Sequence, residues 1–206
     1  MDILEEKVRA LQGRKAKILD HDRHFKTAVI LPLIHTESGI NILFEKRSQN
    51  VHQPGEICFP GGRSEPSDRL GRNTAVRECC EELDLQPGDL EVIADLDIMV
   101  SPFNVLIMPF LAFIKNPAAI KPNADEVEKI LSVPLQFFLD HEPLEQNLLI
   151  KVEFPEDFPL HLIPNGEKYP FRQGLLPQYF YEWDGEVIWG LTARILHHFI
   201  GMIKNK

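Results

Sequence analysis

The spacing of apolar side chains changes several times along the chain, and each change predicts an element. Residues 3–11 are amphipathic with mixed charge and read as a short helix stopped near Gly13. TAVILPLI (27–34) and INILFEKR (40–47) are rich in β-formers, and HTESG between them predicts a hairpin. Pro54-Gly55 is a turn before a short strand over 56–59, and Asn73 is the expected N-cap of a helix over 74–83. DLEVIADLDIMVSP and VLIMPFLAFIK read as two strands divided by residues 101–104. NADEVEKI is polar and helical in character, and VPLQFFLD begins a short helix after Pro134. Residues 144–177 are proline-rich and irregular, with short strands over LLIKVEF and PLHLI. A hairpin turn at Asp184-Gly185 and an amphipathic helix over 190–203 complete the pattern. There is no repeat and no regular βαβ alternation, so a mixed-sheet α+β or α/β sandwich is expected. The expected organisation is one domain over 1–206, with a helical extension over 1–22 and an irregular insertion over 144–180.

Composition narrows the classes. With 206 residues, 44% hydrophobic and 26% charged, the chain has the make-up of a globular protein able to bury a core. Lys plus Arg number 22 and Asp plus Glu 31, a net charge of −9. That balance argues against general nucleic-acid affinity, which needs clustered cations. An acidic protein that binds an anionic ligand needs a metal ion or a few placed Arg and Lys residues. The cysteines are Cys58, Cys79 and Cys80, without a CxxC pair or disulfide framework, and a cytoplasmic location is expected. No apolar run is long enough to span a membrane, and the first residues do not read as a signal peptide.

The stretch FPGGRSEPSDRLGRNTAVRECCEELDL (59–85) changes the picture most. On a helix, Glu78, Glu81 and Glu82 are neighbours on one face, and like charges so placed repel by roughly 0.2–0.5 kcal/mol per pair. Val76, Cys79, Cys80 and Leu83 cluster opposite them, so one face suits a core and the other something positive. A solvated helix surface is the bland account. Against it stand three features: a double glycine, Gly61-Gly62, that permits close backbone approach; Arg77, able to orient the acids; and Glu65 and Asp68 in the intervening loop. Carboxylates converging from loop and helix make a hard-oxygen site suited to Mg²⁺ or Mn²⁺ bridging to phosphates. Such an ion neutralises a diphosphate and activates water, and a spare carboxylate takes the proton.

Gly62, five residues, Asp68, eight residues, then Arg77-Glu78-Cys79-Cys80-Glu81-Glu82-Leu83-Asp84-Leu85 resembles the Nudix box. It departs in having Asp68 for Glu, one extra residue before Arg77, Cys79 for an aliphatic residue and Asp84 for Gly. RSQNVHQPGEICFPGG (47–62) is similar to the motif of the coenzyme A pyrophosphatase branch, with Glu56 for Gln and His52 displaced by one position. NADEVEKILSVPLQFFLD and IWGLTARIL are similar to further segments of that branch. The resemblance implies an α/β/α sandwich with a mixed β-sheet that hydrolyses coenzyme A to 3′,5′-ADP and 4′-phosphopantetheine. It implies Glu78, Glu81 and Glu82 as metal ligands, with Asp68 or Glu65 and the Gly61 carbonyl as additions. It gives Arg77 an orienting role, Glu126 a candidate general base, and Arg47 and Ser48, with Gly61 and Gly62, the substrate's phosphates. The expected partner is this small-molecule substrate, with neither nucleic acid nor membrane; a homodimer stays open. A Nudix hydrolase of NADH or ADP-ribose and a non-catalytic nucleotide sensor are the alternatives. Coenzyme A gains if Arg47, Ser48 and the Pro54-Gly55 turn line the pocket.

The other candidates have plain explanations. His21 and His24 lack partners for a zinc site, and His197-His198 reads as helix surface. Trp183 and Trp189 flank the Asp184-Gly185 turn, where cross-strand packing is expected.

Overall fold

The computed structural model describes residues 3–68 and 71–205. Helix α1 (Ile3–Arg9) buries none of its side chains. The hairpin β1 (Phe25–Thr36) and β2 (Gly39–Arg47) forms as its alternation predicts, with Thr36 opposite Gly39. β3 (Ile57–Cys58) pairs with the end of β2, and β4 (Gly61–Arg63) with β1. Helix α2 (Gly71–Leu83) follows, then β5 (Leu90–Asp95), β6 (Met99–Val100) and β7 (Val105–Ile114). β7 runs parallel to β1, which makes the sheet mixed. β8 (Val127–Pro134) and the short α3 (Leu135–Asp140) come next. A second sheet contains β9 (Leu144–Ile150), β10 (Gly174–Trp183) and β11 (Glu186–Ile188), and α4 (Gly190–Lys204) ends the fold.

The side-chain period of two divides the large sheet into two apolar faces. Ala28, Ile30 and Ile34 of β1, with Phe110, Ala112 and Ile114 of β7, meet Ala75, Cys79 and Leu83 of α2. Leu31 and Leu33 point the other way, with Ile42 and Phe44, towards Phe138 of α3 and Ala193, Leu196 and Phe199 of α4. Helices therefore cover both faces of the mixed sheet, the expected α/β/α arrangement.

Three local expectations change. NADEVEKI is not helical: its last residues open β8, which lies antiparallel along residues 41–47 of β2 and buries Val127, Leu131 and Val133. Its polar residues stay outside, where Lys129 pairs with Glu186 at 2.6 Å. Asn73 is not an N-cap, because α2 already starts at Gly71, which lies so close to Met108 that a Cβ would overlap its sulfur. PLHLI is a single 3₁₀ turn (Leu160–Leu162) rather than a strand, whereas β9 and β10 pair in register over most of their length. The Asp184-Gly185 turn has positive φ at both residues (50° and 76°), as a tight hairpin requires.

An aromatic column joins the two sheets. The fully buried Phe138 meets Phe44, Phe137 and Tyr181 at ring-centroid distances of 6.0, 5.2 and 5.2 Å. Trp183 packs edge-on against Phe137 rather than across the hairpin, and Trp189 stacks on Phe180. His198 is exposed and pairs with Asp97, but His197 is half-buried, stacked on Tyr179 and bonded to the Tyr181 hydroxyl; only the first fits a helix-surface reading. Phe138→Ala is expected to destabilise the protein by about 3–5 kcal/mol in urea unfolding. A loss below about 1 kcal/mol would mean that the column does not hold the sheets together.

Candidate functional site

The acidic helix does not separate cleanly into a polar and an apolar face. Glu81 is exposed, but Glu82 is only 4% exposed. At about 100° per residue, Glu82 falls between Glu78 and Ala75 around the helix, at the margin of the core rather than out in water. Its Oε2 accepts the backbone N–H of Gly61 at 2.8 Å, which ties α2 to β4.

The two glycines answer to different constraints. Gly61 has φ of +150°, and a Cβ there would overlap the Ala28 carbonyl oxygen and the Val29 Cα of β1. At Gly62 a Cβ would land on the carboxyl group of Glu78. The strand can pass beneath Glu78 only because it carries no side chain at that point.

A further acid completes the cluster, and the sequence reading passed over it. Glu45 lies two residues beyond Leu43 on β2, on the face that meets α2, and is 1% exposed. Cys58, its cross-strand partner, donates its thiol to Glu45 Oε1 at 3.4 Å, while Glu45 Oε2 is buried without a hydrogen-bond partner. The available signal was an acid at an inward position of an apolar strand. Burial pushes both Glu82 and Glu45 well above the usual carboxylate range; the nearby Glu45 charge pushes Glu82 further. Burial also raises Glu78, against the pull of Arg77. The charge of Glu126, from the turn before β8, acts on all three in the same direction. That turn leads directly into β8.

Arg77 holds the loop to the helix. It contacts Asp68 at 2.9 Å, Glu78 at 3.0 Å and Glu81 at 3.1 Å, and donates to the Arg63 carbonyl at 3.3 Å. Asp68 also accepts from the Thr74 hydroxyl and the Glu65 N–H, each at 3.0 Å. The Arg77 guanidinium and these donors hold the Asp68 carboxyl down to about 2. With both oxygens so engaged, Asp68 is committed to the loop, and Glu65 stands exposed with its carboxylate accepting from Ser67. Neither joins Glu45, Glu78 and Glu82.

The upstream residues divide. Arg47 donates from Nε to the His52 carbonyl at 2.8 Å and lines a cavity of about 490 Å³ with Cys58. Pro54 and Gly55 line a neighbouring hollow with Phe180 and Trp189. Ser48 is buried, and its hydroxyl donates to the Asp125 carbonyl at 2.6 Å, while its N–H donates to the Glu126 carbonyl at 2.8 Å. Ser48 thus fixes the turn that carries Glu126.

Among the described residues, no three His, Cys, Asp or Glu side chains stand together at ligating distance. The chemistry of the cluster nevertheless suits a hard divalent cation. Its donors are carboxylate oxygens, one buried oxygen has no partner, and burial raises the proton affinity of Glu45 and Glu82, with which a cation would compete. Glu78 and Glu82 are the residues that would hold it, with Glu45 beside them.

Comparison with known proteins places this geometry in a family. The NUDIX domain model matches residues 24–148, and the chain belongs to the Nudix hydrolase family. Mouse "Peroxisomal coenzyme A diphosphatase NUDT7" is 34% identical over 137 residues, covering 66% of this chain and 57% of that protein. Arabidopsis thaliana "Nudix hydrolase 22, chloroplastic" is 32% identical over 176 residues, covering 83% and 53%. Human "Mitochondrial coenzyme A diphosphatase NUDT8" is 30% identical over 135 residues, covering 64% and 56%. The chain thus spans little more than half the length of these relatives. Among solved structures, a C. elegans Ap4A hydrolase complex is 18% identical, covering 56% of this chain and 84% of that one, with a TM-score of 0.46.

Two outcomes follow from the buried acids. Glu45 and Glu82 bind a proton more tightly in the folded state, so their stabilising contribution is present at acid pH. It is lost as pH rises above the ordinary carboxylate value of about 4 towards their raised values. In cation-free buffer the melting temperature should fall as pH rises from about 5 to about 9. Glu82→Gln should flatten that fall, and Mg²⁺ should raise the melting temperature of the wild type only. A variant that tracks the wild type in both respects would remove Glu82 from the centre of the site. Gly62→Ala should displace the Glu78 carboxylate and lower diphosphate hydrolysis roughly 10- to 100-fold while the fold survives. Unchanged turnover would show that Glu78 does not need that position.

Proposed function

We propose that this protein hydrolyses the diphosphate linkage of coenzyme A, or of an acyl-CoA, in a reaction dependent on Mg²⁺ or Mn²⁺. The products are 3′,5′-ADP and 4′-phosphopantetheine or its acyl form. The observation that carries this reading is the group of carboxylates, Glu45 and Glu82 buried and Glu78 half-buried, set beside Gly61-Gly62 in the electrostatic reach of Glu126. Two of the similar proteins are named coenzyme A diphosphatases, which supports the choice of substrate.

When bound, the divalent ion supplies charge neutralisation of the diphosphate and a more acidic water. The chain's own residues do the rest. Gly61 N–H fixes Glu82, and Arg77 fixes Glu78 at the mouth of the loop. Glu126 accepts the proton of the water that attacks phosphorus as the P–O–P bond breaks. Arg47 binds a phosphate oxygen pair with its planar fork. Ser48 contributes by holding the turn under Glu126 rather than by touching phosphate. The unpaired thiols of Cys58, Cys79 and Cys80 agree with a reducing compartment, the cytoplasm in this proposal.

A second substrate class, NADH or ADP-ribose, draws support from Ser48, which turns away from the cavity that Arg47 lines. Product analysis with Mg²⁺ and coenzyme A, NADH or ADP-ribose separates the two, with Glu82→Gln as control. Release of 3′,5′-ADP from coenzyme A, lost in the variant, is the expected result. Cleavage of NADH or ADP-ribose alone would overturn the substrate, and tight binding without turnover would make the protein a sensor.

A further inference from the structure

The cavity beside the acids has an unusual wall. At one end stand Arg47 and Cys58, and the Cys58 thiol that lines the cavity also donates to Glu45. The cavity and the acid cluster are therefore separated by a single side chain. Away from that end the lining becomes apolar: Phe103 before β7, Leu148 of β9, Leu176 of β10, and Trp189 at the start of α4. Phe103, Leu148 and Trp189 are 62%, 51% and 42% exposed, so large apolar side chains from three separate elements converge on one space while facing water. Apolar surface gathered this way beside a polar site is characteristic of a ligand-binding pocket, as is a volume of several hundred cubic ångströms. The amide side chains of Gln53 and Gln178 interrupt the apolar wall with hydrogen-bonding groups. Among the described residues, the lining carries no cation beyond Arg47 that would favour a second phosphate, and Glu56 would repel one.

We infer that this cavity receives the uncharged, amide-bearing arm of the substrate, with the nucleotide arm lying elsewhere. The inference rests on the coenzyme A reading. The charge gradient sets the direction: the phosphate end lies against Arg47, and the chain leads away along Leu176 and Leu148. The amides of the arm meet Gln53 and Gln178, and its methylene and methyl groups cover Trp189 and Phe103. The segment between β2 and the acidic helix is thereby joined to the β9–β10 arm, which would set how long a substrate the enzyme accepts.

The test separates the two arms with the two products as probes. Binding of 4′-phosphopantetheine and of 3′,5′-ADP is measured by calorimetry and by tryptophan emission in the Mg²⁺-loaded protein. Leu148→Asp and Phe103→Asp replace exposed side chains and leave the core intact; Leu162→Asp, also exposed but outside the cavity, is the control. Either cavity variant should weaken 4′-phosphopantetheine about tenfold and leave 3′,5′-ADP within about twofold, a difference of roughly 1 kcal/mol between the arms. Trp189→Phe should abolish the emission change that 4′-phosphopantetheine causes. Unchanged 4′-phosphopantetheine affinity in both variants, or loss of 3′,5′-ADP affinity instead, would overturn the assignment. If the wild type cleaves coenzyme A while both variants bind like the wild type, only the cavity assignment falls. If the wild type cleaves ADP-ribose and not coenzyme A, the substrate reading falls and takes the assignment with it.

Discussion

Glu82 is an acid held at the edge of a hydrophobic core, and the geometry around it follows from that placement. A carboxylate so buried must find donors or a countercharge, because isolated burial of its ionised form is strongly unfavourable. One donor is the Gly61 N–H. To deliver it, β4 must run close against β1, and only a glycine can take the backbone through that gap. The strand then passes under Glu78, which excludes a side chain at Gly62 as well. The double glycine and the glutamates are thus one construction: the strand is shaped to approach the helix, and the helix presents its acids to the strand.

The loop between them is held by a different interaction. Arg77 reaches Asp68, Glu78 and Glu81 together, so a single guanidinium sets the distance from loop to helix. This frees Asp68 from any need to reach the cluster, and the longer spacing between Asp68 and Arg77 is absorbed in a loop that Thr74 and the Glu65 N–H also pin. Glu45 enters from β2, on the same face of the sheet that α2 covers. The cluster is therefore assembled from strand, helix and turn, and its proton affinity belongs to the assembly rather than to any one residue.

On the far side of the sheet, an aromatic column through Phe44, Phe138 and Tyr181 carries the second sheet and fixes where β11 meets β3. That contact brings β9, β10 and the start of α4 to the cavity beside Cys58. The core of the fold and the reach of the site are consequently linked: the packing that buries Phe138 also positions Leu176 and Trp189. The least regular part of the chain, residues 151–173, lies between two well-paired strands and leaves their register intact.

Much of this was legible from residue order alone. The hairpin of β1 and β2, the tight Asp184-Gly185 turn and the C-terminal helix follow from local period and turn chemistry. The acidic run behind a double glycine already pointed to Glu78, Glu82 and Arg77, because helical spacing alone makes them neighbours. Residues 123–130 were read as helical, since a short polar segment carries no record of the β2 strand whose hydrogen bonds its last residues take. The hydrogen bond from the Ser48 hydroxyl to the Asp125 carbonyl is likewise invisible in residue order, because the two are distant in the chain. Glu45 was missed because it lies 37 residues from Glu82 in the chain, and only pairing of strands and packing of α2 bring the two together. Local propensity and spacing thus determined the elements and named most of the acids. Tertiary packing decided which acids are buried, which are tied to Arg77 and which face one another, because burial and charge coupling are properties of space rather than of order along the chain.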